Sequence, residues 1–216
     1  MKKVLLILLA VLACCTFTYS QDVNSKKNKS SKTVSKKPTP KPKKQVTSKK
    51  NAALTDTITD DRNGNKYELL KIGESYWMTE NLRWKSHSNI IYEDNLENLK
   101  KYGRMYTIEE SKIACPTGSH LPTAQEWDSL ALAVDPKKNG DAGDKLIKKQ
   151  GFAAVLGGYR NAKGKYVGIE NETTYWSADG NIQFNGDVQG ATMTVNTTLE
   201  NKELKCAYYI RCVKNK

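Results

Sequence analysis

The sequence predicts a small α+β domain that follows two N-terminal segments outside it. Three observations predict this class: residues 54–216 carry no net charge, helix-type patterns lie in the middle of that part, and strand-type patterns lie at both of its ends. Strands and helices that are segregated along the chain are typical of α+β proteins. The 216 residues allow one domain of ordinary size once the N-terminal segments are set aside.

Residues 1–20 have the pattern of an export signal. Two lysines after the first methionine precede an apolar run at 4–13, which is too short to span a bilayer comfortably. Cleavage before Gln21 would release the chain, whereas an imperfect lipobox that ends at Cys14 would place a lipid on that thiol. Either interpretation predicts an exported protein, extracellular or in the cell envelope, without a transmembrane helix in its mature form.

Residues 21–53 form a linker, and its stretch 24–50 consists almost entirely of Lys, Ser, Thr, Asn and Pro. Segments of this composition cannot bury a hydrophobic core, and repulsion among the lysines keeps them extended. We therefore predict a disordered tether. Two roles remain open for it: electrostatic contact with anionic envelope polymers or lipid head groups, and a plain solvated spacer.

The net charge of +12 belongs to the N-terminal segments. The linker holds eleven lysines and one acidic residue, and residues 54–216 contain equal numbers of basic and acidic side chains. A domain that binds nucleic acid needs a basic surface to contact phosphates. The charge distribution therefore argues against a nucleic-acid partner for the domain.

The domain begins with a predicted β-hairpin over residues 57–72. Asn63-Gly64 lies near its centre and suits the positive φ angles of a tight turn. The aspartate and asparagines at 61–65 also resemble the start of a calcium loop, but the remaining ligands and the terminal glutamate of an EF-hand are missing. Calcium is therefore doubtful, and we expect no cofactor.

Two capping boxes predict the starts of helices in the middle of the domain. Thr107 and Glu110, and again Thr123 and Glu126, have the spacing at which the threonine hydroxyl and the glutamate carboxylate each bind a backbone amide. From Trp127 onward, apolar residues recur with helical spacing and predict a face that packs on a core. Trp127 is therefore expected in the core.

A third helix and a series of strands are predicted for the rest of the domain. The helix runs over 141–150 and ends at Gly151, because glycine suits a helix C terminus. Short β-rich runs follow, separated by turn-forming sequences that include 179–181 and 185–187. These runs cover residues 152–160, 165–169, 173–177, 191–195 and 208–214.

Three cysteines lie in the predicted domain, so one disulfide leaves one free thiol. A bond between Cys115 and Cys212 closes a loop of about 100 residues, a constraint worth up to about 4.7 kcal/mol in the chain-entropy model. A bond between Cys206 and Cys212 would constrain little. We predict the Cys115–Cys212 bond, which leaves Cys206 as a candidate for an intermolecular bridge.

Six blocks of sequence in a fixed order resemble the Fibrobacter succinogenes major paralogous domain. The blocks are Gly73-Glu-Ser-Tyr-Trp-Met-Thr-Glu-Asn-Leu82, Tyr102-Gly-Arg-Met-Tyr-Thr107, Cys115-Pro-Thr-Gly-Ser-His-Leu-Pro-Thr-Ala-Gln-Glu-Trp127, Gly157-Gly-Tyr-Arg160, Tyr175-Trp-Ser177 and Ile210-Arg-Cys-Val213. The resemblance covers roughly residues 54–216 and extends more distantly to formylglycine-generating-enzyme-like and C-type-lectin-like folds. It implies a compact C-type-lectin-like α+β domain on exported or lipid-anchored proteins, with no established biochemical activity. Its cysteines map onto Cys115 and Cys212.

Three departures from the family pattern bear on function. Ser119 stands where the family commonly has tryptophan, residues 181–200 lack its usual aromatic-rich strand, and Cys206 is an unusual extra cysteine. A ligand surface built on those aromatic residues is expected to be reduced here.

The sequence favours a binding module over an enzyme. His87 and His120 stand far apart and form no metal-binding pattern, and the sequence has no nucleophile elbow and no P-loop. A metal site is therefore not expected, and a formylglycine-generating-enzyme-like oxidoreductase is the least favoured function. We predict a glycan or an envelope or surface protein as the partner, with an envelope-associated scaffold tethered through the linker as the alternative.

The loop after Trp176 is the predicted ligand surface, because polar side chains and turns cluster there beside an aromatic strand. The rings of Tyr175 and Trp176 would stack on a sugar, and the alternative is that both lie in the core. The candidate ligand-binding residues are Tyr175, Trp176, Asp179, Asn181, Asn185 and Asp187.

Overall fold

The computed structural model describes residues 55–148, 151–186 and 190–216. In these residues it shows two five-stranded sheets and four α-helices, which confirms the predicted α+β class. The predicted signal peptide with Cys14, the predicted linker and Asp187 lie outside the described residues. No helix in the described part of the chain is long and apolar enough to cross a membrane.

The first sheet combines strands from both ends of the domain. Its strands are β1 (Thr55–Thr59), β2 (Lys66–Ile72), β3 (Ser75–Met78), β4 (Ser119–His120) and β10 (Val213–Lys214), in the order β1-β2-β3-β10-β4. All of its paired strands are antiparallel.

The second sheet lies in the C-terminal half of the chain. Its strands are β5 (Gly157–Arg160), β6 (Tyr166–Ile169), β7 (Glu172–Ser177), β8 (Gly180–Gly186) and β9 (Ala191–Asn196), in the order β6-β5-β7-β8-β9. β5 and β7 pair in parallel, and the other pairs are antiparallel. The helices are α1 (Leu96–Tyr102), α2 (Ile108–Ala114), α3 (Ala124–Val134) and α4 (Ala142–Lys148).

The predicted N-terminal hairpin is confirmed by the antiparallel pairing of β1 and β2. The chain turns through Asn63 and Gly64, and Gly64 has a φ of 73°, which glycine adopts without steric cost. The buried carboxylate of Asp60 accepts a hydrogen bond from Arg62 at 2.8 Å, and the Arg62 guanidinium also donates to the Ile113 carbonyl at 2.9 Å. These bonds tie the turn to the end of α2.

Both predicted capping boxes are confirmed. The Thr107 hydroxyl accepts a hydrogen bond from the Glu110 amide at the start of α2, and the Glu110 carboxylate accepts one from the Thr107 amide. Thr123 and Glu126 make the same pair of bonds at the start of α3. The third predicted helix is confirmed in its described part, which is α4.

The predicted loop after Trp176 is largely a strand. The chain turns at Ala178 and Asp179, and β8 then pairs along nearly its whole length with β7 and β9. Ile182 and Phe184 of β8 are fully buried. Gly180-Asn181 directly follows the turn at 178–179, and Asn185-Gly186 ends β8. The turn signals therefore mark the two ends of β8, and the sequence missed the strand between them.

The last predicted strand is shorter than expected, because only β10 remains of it. The preceding residues, 206–212, are buried and hydrogen bond to both sheets. The Tyr209 amide donates to the Thr174 carbonyl of β7 at 3.0 Å, and the Cys212 carbonyl accepts from the Met78 amide of β3 at 3.1 Å. This segment therefore joins the two sheets.

Two clusters of buried side chains form the core. Trp127 is fully buried in the first cluster, as predicted, and packs on Trp77 with ring centres 4.9 Å apart. The second cluster contains the disulfide between Cys115 and Cys212, whose Cα atoms are 5.8 Å apart. The predicted disulfide is therefore confirmed, and Cys206 is left as a buried free thiol.

Candidate functional site

The two aromatic residues of the predicted ligand surface lie in the core. Tyr175 and Trp176 are adjacent in β7, so their side chains lie on opposite faces of the second sheet, and packing on both faces buries both rings. Tyr175 packs against Trp127 with ring centres 5.5 Å apart, and the Trp176 indole donates to the Tyr106 carbonyl at 2.7 Å. Neither ring is exposed for stacking on a ligand, which corrects the prediction in favour of its alternative.

The predicted polar residues lie in separate environments. Asp179 accepts hydrogen bonds from the Ala124 amide at 2.8 Å and from the Ser177 hydroxyl at 3.1 Å, so it caps the first turn of α3. Asn185 is exposed on β8, and Asn181 is buried. Among the described residues of the predicted set, Asn181 lines a cleft.

The sheet cleft is a cavity of about 480 Å³ on the face of the second sheet that points away from Trp127. Cavities that bind small molecules measure about 300–1,000 Å³. The cleft is lined by Tyr159, Asn161, Ala162, Lys163, Thr174, Asn181, Gln183, Lys202, Glu203, Cys206 and Tyr208. A larger depression of about 570 Å³ runs along α3, but the described residues that line it include no aromatic side chain.

Thr174 and Gln183 form the base of the sheet cleft. They are cross-strand partners in β7 and β8, and strand alternation places their side chains on the same face as Trp176. Thr174 is 3% exposed and lines the cleft together with Gln183. A hydroxyl and a side-chain amide can each donate and accept hydrogen bonds, so a ligand seated here can pair with both.

A chain of hydrogen bonds fixes one wall of the cleft. The Asn196 side-chain amide donates to Asn181 Oδ1 at 3.0 Å, and Asn181 Nδ2 donates to one carboxylate oxygen of Glu203 at 2.9 Å. The other carboxylate oxygen of Glu203 accepts from the Glu200 backbone amide at 2.8 Å. The polar groups of this wall are therefore held in place without a ligand.

Two tyrosines form another wall. Tyr159 is half-buried and packs edge-on against Tyr208, with ring centres 5.7 Å apart. Burial raises the pKa of both phenols, so both hydroxyls stay protonated at neutral pH and can donate hydrogen bonds. The Cys206 thiol lies beside Tyr208 and donates to the Lys202 carbonyl at 3.5 Å.

Cys206 does not have the setting of an intermolecular bridge or of a catalytic thiol pair. The residue is 4% exposed, so a second chain cannot reach the sulfur unless the cleft wall opens. Cys212, six residues further on, is already bonded to Cys115. The Cys206 thiol, which was predicted as a candidate for an intermolecular bridge, is therefore not exposed.

The sheet cleft offers many hydrogen-bonding groups and little net charge. Lys202 at its rim pairs with Glu200 at 2.7 Å, which leaves Lys163 and Glu203 as lining charges of opposite sign. No histidine lines the cleft, and no group of three or more metal-ligating side chains occurs in the described residues. This arrangement can recognise an uncharged ligand that carries several hydroxyls.

The sequence gave little warning of most of this cleft. Tyr159 lies in one of the six family blocks, but Thr174, Gln183 and Glu203 carry no motif. One feature of the sequence could have located the base of the cleft: polar and apolar residues alternate in β8, and this alternation predicts one buried face and one outward face.

The disulfide and the sheet cleft lie within a range that matches a known family. The model of the Fibrobacter succinogenes major domain matches residues 70–214, from the end of β2 to β10. No curated protein and no solved structure matches the chain. The matched range is more than half of the 216 residues. The chain therefore belongs to the Fibrobacter succinogenes major domain family, as the six sequence blocks predicted.

Proposed function

We propose that the protein is an exported, non-enzymatic module that binds a glycan in the sheet cleft. The observation that carries this proposal is the base of the cleft, where the Thr174 hydroxyl and the Gln183 amide line a cavity of the size that binds small molecules. A sugar hydroxyl can donate and accept, so it can pair with a threonine hydroxyl in either direction. The fixed Asn181–Glu203 wall supports the same proposal, because a preorganised site loses little entropy on binding.

The tyrosine wall and the charge balance also favour a sugar. Tyr159 and Tyr208 each combine an apolar ring with a protonated hydroxyl, which matches the mixed apolar and polar surface of a sugar ring. Lys163 and Glu203 line the cleft with opposite charges, so the cleft does not attract a strongly charged ligand of either sign.

Catalysis finds no support in this site. An oxidoreductase of the formylglycine-generating type would need a reactive cysteine pair, whereas Cys206 is the single free cysteine of the described residues. The cleft lining contains one carboxylate, so a pair of carboxylates for general acid and base chemistry is not present among its described residues. We therefore propose a binding role on a C-type-lectin-like domain.

Export is part of the proposal. A disulfide such as Cys115–Cys212 persists in oxidising compartments, and the pattern at residues 1–20 is that of an export signal. A scaffold held in the envelope through the linker is the second candidate, and the eleven lysines of residues 21–53 favour it. Attachment of that kind weakens as salt increases, whereas hydrogen bonding in the cleft does not.

A glycan array tests the proposal. The full exported chain is applied to bacterial, plant and host glycans, with calcium and with chelator, at low and at high salt. We expect selective, saturable binding that survives high salt and chelator. Gln183→Ala should weaken it about ten-fold, since one or two hydrogen bonds are lost. Gln125→Ala is the matched control, because Gln125 is exposed on α3 outside the sheet cleft.

Two results would contradict the glycan site. One is an array without selective binding, and the other is binding that Gln183→Ala leaves unchanged. Binding that disappears at high salt and on deletion of residues 21–53 would favour the scaffold instead.

A further inference from the structure

A surface of uncharged polar side chains continues from the sheet cleft across the second sheet. The pairing of β8 with β9 and the alternation of strand residues place five such side chains on one face. This amide–hydroxyl face consists of Gln183, Asn185, Thr192, Thr194 and Asn196. Asn185, Thr192 and Thr194 are exposed, and the other two are half-buried.

The composition of these strands is unusual for an outer surface. Neither β8 nor β9 contains Asp, Glu, Lys or Arg, although charged residues make up 27% of the chain. Edge strands usually carry charged side chains that prevent association with other strands. β9 is an edge strand of the second sheet as described, so its uncharged outward face calls for another explanation.

The amide–hydroxyl face is continuous with the base of the cleft. Gln183 belongs to both, and Thr174, Gln183 and Thr194 form one row across β7, β8 and β9. Neighbouring strands lie about 4.8 Å apart, so the row extends about 10 Å from the cleft base to the edge strand. A linear ligand seated in the cleft can follow this row.

We propose that the ligand is an extended, uncharged polysaccharide, which binds in the sheet cleft and continues over the amide–hydroxyl face. This inference rests on the proposed function and names its ligand class. Side-chain amides and hydroxyls both donate and accept, as sugar hydroxyls do, so successive sugar units find partners along the row. A single terminal sugar would occupy the cleft only and would make no contact with the amide–hydroxyl face.

Other occupants fit this face less well. A protein partner needs large apolar or aromatic anchors, and none of the five residues is one. An anionic polymer needs cations, which β8 and β9 lack. A peptide added as a strand would pair with the backbone edge of β9, but α4 covers part of that edge: a Cβ on Gly143 would lie 2.5 Å from the Ala191 carbonyl oxygen.

A length series of oligosaccharides tests the inference on the full exported chain. The probes are the disaccharide and hexasaccharide of β-1,4-linked glucose, xylose and N-acetylglucosamine, with polygalacturonate as the anionic probe, and binding is measured by calorimetry. For a neutral series we expect the hexasaccharide to bind about ten-fold more tightly than the disaccharide, since two or more further hydrogen bonds form. Thr192→Val with Thr194→Val should remove this gain and leave disaccharide binding unchanged.

The control carries the same chemical change on the other sheet. Thr57→Val with Thr59→Val alters two exposed threonines of β1 and should leave the length gain intact. Equal affinity for the two lengths, a length gain that survives the Thr192 and Thr194 changes, or preference for polygalacturonate would overturn the inference, while disaccharide binding would still support the cleft. Failure of every neutral probe to bind would overturn the inference and the proposed function together.

Discussion

The first sheet and the second sheet differ in how they are held together and in what they present. The first sheet is fastened by the Cys115–Cys212 disulfide and by an ion pair between Lys214 and Asp56. The outward face of the second sheet has no charge in β8 or β9, and hydroxyl and amide side chains line its cleft. Under the proposed function, the fastened sheet supports a second sheet whose outward polar groups contact the ligand.

Removal of the disulfide should have the largest effect on stability. Cys115→Ala with Cys212→Ala releases a loop of 97 residues, and we expect the free energy of unfolding to fall by about 4 kcal/mol. Urea denaturation at neutral pH measures the change. Where the variant remains folded, glycan binding should persist, because no disulfide cysteine lines the sheet cleft.

Cys206→Ala is the matched control for this comparison. It removes a buried thiol that forms no disulfide, so we expect a loss of about 1 kcal/mol from lost packing. A disulfide variant that loses no more than Cys206→Ala does would show that the first sheet is not held by its covalent bond.

Replacement of Arg211 should have the next largest effect, because this residue contacts both sheets. Its Nη1 lies 3.5 Å from the Met78 carbonyl oxygen of β3, and its guanidinium lies 5.8 Å from the ring centre of Tyr175 in β7. Arg211 is 1% exposed, and its guanidinium donates to Asn81 Oδ1 at 2.8 Å, to the Ala153 carbonyl at 2.8 Å and to the Phe152 carbonyl. Arg211→Met fills a similar volume but leaves these three acceptors without a donor. We expect a loss of about 3 kcal/mol in urea denaturation.

The control for Arg211 is another arginine with weaker contacts. Arg104 is half-buried, its Nε donates to the Arg83 carbonyl at 3.3 Å, and its Nη1 donates to Asn89 Oδ1. Arg104→Met should cost less than about 1 kcal/mol, because water can replace part of its hydrogen bonding. If the two variants were equally stable, the contacts of Arg211 with both sheets would not stabilise the fold.

The elements that were predicted correctly depend on short sequence separations or on few candidates. The capping boxes of Thr107 and Thr123 use residues three positions apart, and the hairpin turn uses Asn63-Gly64. The disulfide followed from the choice among three cysteines. In each case the local chemistry and the tertiary structure favour the same arrangement.

The candidate site was harder to predict because its parts are distant in the chain. Tyr159, Thr174 and Glu203 meet only after the second sheet has formed. After Trp176 the turn-forming residues mark the ends of β8, and the sequence missed the strand between them, in which Ile182 and Phe184 are buried. The sequence left open whether Tyr175 and Trp176 face a ligand or the core, and the structure decides for the core because β7 is covered on both faces.

The smallest effect is expected where an ionic contact supports the second sheet. Asp135, between α3 and α4, is buried and accepts hydrogen bonds from Lys145 at 3.0 Å and from the amides of Gly140 and Asp141. The hydrogen bond from Lys145, with those from the two amides, holds the pKa of Asp135 below its ordinary value of 3.8. Since α4 packs against β9, this contact fixes a helix on the edge of the sheet that carries the amide–hydroxyl face.

The lowered pKa gives the contact a defined pH dependence. The unfolded chain binds a proton at Asp135 at a higher pH than the folded chain does, so the stabilisation is present above the ordinary pKa and is lost as pH falls through the lowered one. Between neutral pH and about pH 3, the urea midpoint of Asp135→Asn should therefore fall less than that of the unchanged protein. Asp128→Asn, an exposed change in α3, should follow the unchanged protein. Parallel acid losses in all three proteins would mean that the contact between Asp135 and Lys145 does not stabilise the fold.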